Sequence, residues 1–167
     1  QKIVSKIGAY IEFIGPEKLV YIAFDGVAPF AKMNQQRNRR HKNGIIKHIQ
    51  GHISKNFKSS VWTTSNITPG TPFMNELSSK IKKSFANLES HFNVKEIIVS
   101  GSDSPGEGEH KMFQHIRKNK NKINGNIAVY GLDSDLIMLS LFHCQYFQQM
   151  YIFRETPEFG KQLIEQS

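Results

Sequence analysis

Three apolar runs in this chain each stop at a glycine with a carboxylate beside it. They are Leu19–Gly26 (LVYIAFDG), Glu96–Asp103 (EIIVSGSD) and Asn126–Asp135 (NIAVYGLDSD). Between them, apolar residues return at helical spacing: Ile3, Ile7, Tyr10, Ile11 and Ile14 before the first run, and Phe73, Leu77, Ile81, Phe85, Leu88 and Phe92 before the second. Strand and helix therefore alternate. That pattern predicts an α/β fold with a mostly parallel central sheet, right-handed crossovers and flanking helices. The expected helices cover 2–14, closed by Gly15-Pro16, and 31–50, with Ile45, Ile46 and Ile49 as its apolar stripe. A third runs from a Thr71-Pro72 start to Phe92. A fourth starts at a Ser104-Pro105-Gly106-Glu107 capping box and ends near Arg117, and a short one spans Leu136–Phe142. Met150–Phe153 is a fourth strand, and 54–72 reads as loop.

Ligands of open α/β sheets sit beyond the carboxyl ends of the strands. If the three runs lie side by side, Asp25, Glu107, Glu109, Asp133 and Asp135 converge on one rim. Like charges held together repel, and a divalent cation reconciles them. Magnesium, or manganese in its place, takes oxygen ligands and needs only a few carboxylates plus substrate phosphate. Two such ions about 3.5–4 Å apart activate a water and stabilise the leaving oxygen of a phosphodiester. Each acid also has a plainer use. Asp133 and Asp103 are placed to cap helices; Glu107 can complete the capping box or pair with Lys111. Glu107 and Glu109, two apart on a regular helix, would face nearly opposite sides. They reach one ion only if Gly106 and Gly108 let the backbone leave the helix, or if one acid acts through a water.

The formal net charge is +8 and the isoelectric point about 9.6. A basic chain with a local cluster of acids suits a polyanionic ligand, gripped by bases while the acids hold metal. Lys32, Arg37, Arg39, Arg40, His41 and Lys42 follow Asp25, and no acid interrupts Ala28–Ile49. On a helix, Lys32, Gln36, Arg39 and Arg40 share one face. Arginine forks match phosphate oxygens, so the face reads either as a terminal-phosphate site or as a solvated surface. Trp62 is a base-stacking platform or a loop anchor. The seven histidines show no metal-ligand spacing, and GEGEH lacks the third glycine of a dinucleotide fingerprint. The single cysteine, Cys144, lies in an apolar run and is expected as a buried thiol in a reducing, intracellular compartment. No segment reaches the ~18–20 apolar residues of a membrane span, so no membrane partner is expected.

Four motifs carry a family resemblance. They are Asp25-Gly-Val-Ala-Pro through Lys32-Met-Asn-Gln-Gln-Arg to Arg39-Arg40; Ile67-Thr-Pro-Gly-Thr; Ser104-Pro-Gly-Glu-Gly-Glu-His-Lys111; and Tyr130-Gly-Leu-Asp-Ser-Asp-Leu-Ile-Met-Leu139. Together, and colinear over about residues 9–160, they resemble the XRN family of 5′→3′ exoribonucleases. The resemblance implies a PIN-like, FEN-related nuclease fold and one partial nuclease domain over 1–167, part of a longer protein. It implies a Mg²⁺- or Mn²⁺-dependent enzyme degrading 5′-monophosphorylated single-stranded RNA to mononucleotides. It matches Asp25, Glu107, Glu109, Asp133 and Asp135 to metal-site acids, and Lys32, Gln36, Arg39 and Arg40 to a 5′-phosphate pocket. It also places one family acid before Gln1 and another beyond Ser167, and puts Phe30 where a basic residue is frequent. The alternatives are a flap-type, structure-specific DNA nuclease and a non-catalytic RNA-binding module.

Overall fold

Apolar residues at helical spacing produce α1 (Lys2–Ile14), which ends where Gly15 turns left-handed (φ 60°) and returns its N–H to Ile11 O at 2.9 Å. The computed structural model describes residues 1–53, 64–123, 125–131 and 133–154, so Trp62 lies outside the described residues. It divides into two compact units, Gln1–Met112 and Phe113–Ser167.

In the first unit β1 (Leu19–Ala23) pairs in parallel with β2 (Glu96–Ser100), and Val20 faces Ile97 as Ile22 faces Val99. These alternate residues, with Phe24, pack under α1 and α3 (Pro72–Phe85) against Ile11, Ile81 and Phe85. Ile81 is fully buried, and burying such a side chain contributes about 1.5–3 kcal/mol. Thr71 caps α3 as expected, accepting from Met74 N at 3.3 Å. The helix stops at Phe85 instead of continuing to Phe92, because Ala86 is extended and Asn87 takes a left-handed conformation (φ 60°). Leu88 and Phe92 still reach the core from the turns that follow, which is why their spacing mimicked a helix.

Lys82 on α3 donates to both oxygens of Asp103, at 2.9 and 2.8 Å, tying the loop after β2 to that helix. This hydrogen-bonded ammonium holds the Asp103 carboxyl below its ordinary 3.8. A depressed acid contributes stability above its unfolded pKa and loses it as pH falls through the folded one. Wild type and Asp103→Asn are therefore expected to differ in urea midpoint at neutral pH and to converge as pH falls from 3.8 through the lowered folded value.

The basic stretch forms α2 (Phe30–Ile53), longer than expected at both ends. In the second unit β3 (Asn126–Tyr130) pairs in parallel with β4 (Gln149–Phe153). The helices there are the end of α4 (Gly108–Asn119) and α5 (Asp135–His143). Phe113 is fully buried against the ring of buried His143. His143 Nδ1 donates to Leu139 O at 2.6 Å, leaving Nε2 to accept from Arg117 at 3.1 Å.

Of the expected mostly parallel sheet, the described residues show two two-stranded parallel ladders, β1–β2 in the first unit and β3–β4 in the second. Apolar alternation says that a strand is buried and parallel, but not which strand lies beside it. The expectation for Cys144 is corrected. It is exposed just past the end of α5, because His143, not the thiol, turns into the interior. No helix among the described residues is long and apolar enough to cross a membrane.

Candidate metal site

The site is built where two loops of the first unit cross. After β1, the Gly26 N–H donates to Gly106 O at 2.8 Å; in return the Gly106 N–H donates to Val27 O at 2.9 Å. Gly26 is buried, and a Cβ there would overlap the Ser104 carbonyl oxygen. Gly106 has φ +97°, which glycine adopts without penalty. This left-handed residue breaks the expected capping box, and α4 begins at Gly108 instead. Its cap comes from far away in sequence: Asp25 Oδ1 accepts from Gly108 N at 2.7 Å. A carboxylate at a helix N-terminus is favoured by the helix dipole as well as by the hydrogen bond. Gly108 permits this approach, since a Cβ would sit 3.3 Å from both Ala23 O and Asp25 Oδ1.

The broken helix settles the geometry of the two glutamates. Glu107 precedes α4 and Glu109 lies in its first turn. Ligand atoms of Glu107, Glu109 and His110 come within 4.8 Å of one another. Asp25 is bonded to the backbone between the two glutamates. Glu107 is 11 % exposed at its side chain, with Lys32 Nζ 3.1 Å from Oε1 and His110 Nε2 3.6 Å from Oε2. The Lys32 contact has ion-pair distance without hydrogen-bond geometry, and Glu107 Oε1 is buried with no hydrogen-bond partner. A buried carboxylate oxygen held by ion-pair attraction without a hydrogen bond keeps an unused lone pair, which a coordinated cation would take up. The donor set of carboxylates fits a hard divalent ion, with His110 as a supplementary nitrogen ligand.

Lys111, the expected partner of Glu107, goes elsewhere. It is 7 % exposed and donates to Gly101 O at 2.8 Å and Ser104 O at 3.3 Å. Burial pushes its pKa below 10.5, while the charges of Asp103 and Asp25 pull it back up. It pins the loop that presents Glu107. Lys111→Met should lower stability by about 1–3 kcal/mol, because buried carbonyls lose their donor. Chemical denaturation of the two proteins checks this.

The basic face follows directly on α2. Arg40 donates to Gln36 Oε1 at 3.4 Å, which places the two on one face, and Arg39 is exposed. Lys32 is drawn to Glu107, so one predicted phosphate ligand borders the acid cluster. An open cleft of about 550 Å³ is lined by Arg37, Arg40, His41, His48 and Ser65. Phe30, 71 % exposed, stands in the first turn of α2.

Asp133 and Asp135 belong to the second unit and are exposed. Asp133 Oδ1 accepts from Asp135 N at 3.1 Å just ahead of α5, whose N-cap residue is Ser134. His110 was not singled out from sequence. Its signal was adjacency to the Glu-Gly-Glu motif, which becomes meaningful only once Glu107 leaves the helix.

Residues 1–156 match the family model described as XRN 5′-3′ exonuclease N-terminus. The chain is 40 % identical over 171 residues to "5′-3′ exoribonuclease 1" of Schizosaccharomyces pombe, covering 95 % of this chain and 13 % of that protein. It is 37 % identical over 178 residues to "5′-3′ exoribonuclease 1" of Saccharomyces cerevisiae, covering 96 % and 12 %. It is 38 % identical over 179 residues to the Homo sapiens protein of the same name, covering 95 % and 10 %. The chain thus spans a small N-terminal-type share of the relatives it matches.

Proposed function

The chain belongs to the XRN 5′-3′ exonuclease family, and from that premise we propose that it is part of the nuclease domain of a 5′→3′ exoribonuclease. The observation that carries the reading is the meeting of α2 and the acid cluster at Lys32–Glu107. A residue from the phosphate-holding face ends there on a carboxylate suited to metal.

In this reading Glu107 and Glu109, with Asp25 nearby, hold Mg²⁺ or Mn²⁺. Asp133 and Asp135 are kept as metal-site acids on the family resemblance alone. Bound metal supplies a water nucleophile and stabilises the leaving oxygen. The protein's own groups do the positioning. Asp25 fixes the start of α4, the crossed loops around Gly26 and Gly106 hold Glu107 outside the helix, and Lys111 anchors the loop before it. Gln36, Arg39 and Arg40, joined by Lys32, hold a 5′-monophosphate, and their bidentate geometry sets substrate choice. The family match covers residues 1–156 and so includes residues of both units, which supports reading the chain as one partial nuclease domain.

The test uses the full-length protein on 5′-monophosphorylated and 5′-hydroxyl single-stranded RNA and on flap DNA, with Mg²⁺ or EDTA. Rapid release of mononucleotides from the phosphorylated RNA, abolished by EDTA, is expected. Arg39→Ala/Arg40→Ala should lower the preference for the phosphorylated end by about tenfold or more, since charged hydrogen bonds contribute about 1.5–3 kcal/mol each. Equal cleavage of both RNA ends would remove the phosphate-pocket reading, and preference for flap DNA would replace RNA with DNA as substrate.

A further inference from the structure

We propose that α2 carries a second metal site, distinct in chemistry from the carboxylate cluster: a bidentate chelate for a Zn²⁺-class ion made by His48 and His52. The two residues are one helical turn apart on α2 and both are exposed. Their Nε2 atoms lie 3.1 Å from each other, with ring centroids 4.5 Å apart and planes at 82°. Two Zn–N bonds of about 2.0–2.1 Å at a near-tetrahedral angle place their nitrogens roughly 3.3 Å apart. The pair therefore already has the span of a chelate.

Without an ion, the two nitrogens can meet only if one is protonated and donates to the other. An ion that accepts both lone pairs removes that requirement. No Asp or Glu occurs from Ala28 to Ile53, so the helix offers nitrogen rather than oxygen. Imidazole pairs select Zn²⁺, Cu²⁺ or Ni²⁺ over Mg²⁺. Two protein ligands leave two positions of a tetrahedral ion open to water or an oxyanion. His48 also lines the cleft shared with Arg37 and Arg40. These guanidiniums disfavour a bare cation and favour an anionic co-ligand, so the ion would tie α2 to the same phosphate chemistry as its basic face.

The experiment titrates Zn²⁺ into the full-length protein against a chromogenic chelator, with His48→Ala and His52→Ala compared to wild type. Both positions are exposed, and circular dichroism verifies that the variants stay folded. Each variant is expected to lose the same one equivalent of Zn²⁺, and a millimolar excess of Mg²⁺ should leave that equivalent bound. Equal Zn²⁺ stoichiometry and affinity in wild type and His52→Ala would overturn the proposal. Displacement of that equivalent by Mg²⁺ would overturn it too, by assigning the ion to carboxylates. Neither result bears on the exoribonuclease reading, which is tested at Glu107, Arg39 and Arg40.

Discussion

Glu107→Gln in the full-length protein is expected to cut Mg²⁺-supported RNA hydrolysis by about a thousandfold, about 4 kcal/mol of transition-state stabilisation. Glutamine keeps the volume of this mostly buried side chain but removes the charge that a hard cation needs. The crossed loops and the Asp25 cap on Gly108 do not involve the Glu107 carboxylate, so folding should survive. RNA binding should not weaken, because Lys32 loses the carboxylate that now holds it at 3.1 Å. Turnover at saturating Mg²⁺ and RNA affinity in EDTA separate the two effects. Wild-type turnover would sink the metal assignment, and turnover lost in parallel with RNA affinity would make Glu107 a substrate-binding residue instead.

Gly26→Ala is expected to be the most destabilising single methyl in the first unit, costing about 3–5 kcal/mol. The added Cβ would overlap the Ser104 carbonyl oxygen, a backbone atom that no rotamer change can move aside. Relief requires the two loops to part. That breaks the Gly26–Gly106 and Gly106–Val27 hydrogen bonds and carries Asp25 away from Gly108. Against a typical total of about 5–15 kcal/mol, the loss is a large fraction of the stability. Denaturant unfolding measures it, and Mg²⁺ titration should show weaker binding in whatever fraction stays folded. An unchanged midpoint would mean that the loops slide past each other without strain, and that the crossing does not position Glu107.

Much of the scaffold was legible because it rests on local periodicity. Ile3, Ile7 and Ile11 gave α1, and Thr71-Pro72 gave the start of α3. The failures share a cause. Leu88 and Phe92 keep a helical rhythm while serving the core from turns. Ser104 through Glu107 has every residue of a capping box, yet the cap is supplied by Asp25, 83 residues from Gly108. Local sequence records what a segment can do; a distant partner that does the same job better leaves no mark in it.

The same division runs through the site. Residue identities specify the chemistry available: carboxylates after apolar strands, an acid-free basic helix, and glycines where the backbone must bend or come close. Charge type and conformational freedom belong to residues and their immediate neighbours. Which of these groups meet depends on the folded chain. It put Glu107 outside the helix beside Glu109 and His110, and set Lys32 rather than Lys111 against it. Distances of a few ångströms depend on where a helix starts and how two loops cross. Those are fixed by hydrogen bonds between segments far apart in the chain, which no window of sequence contains.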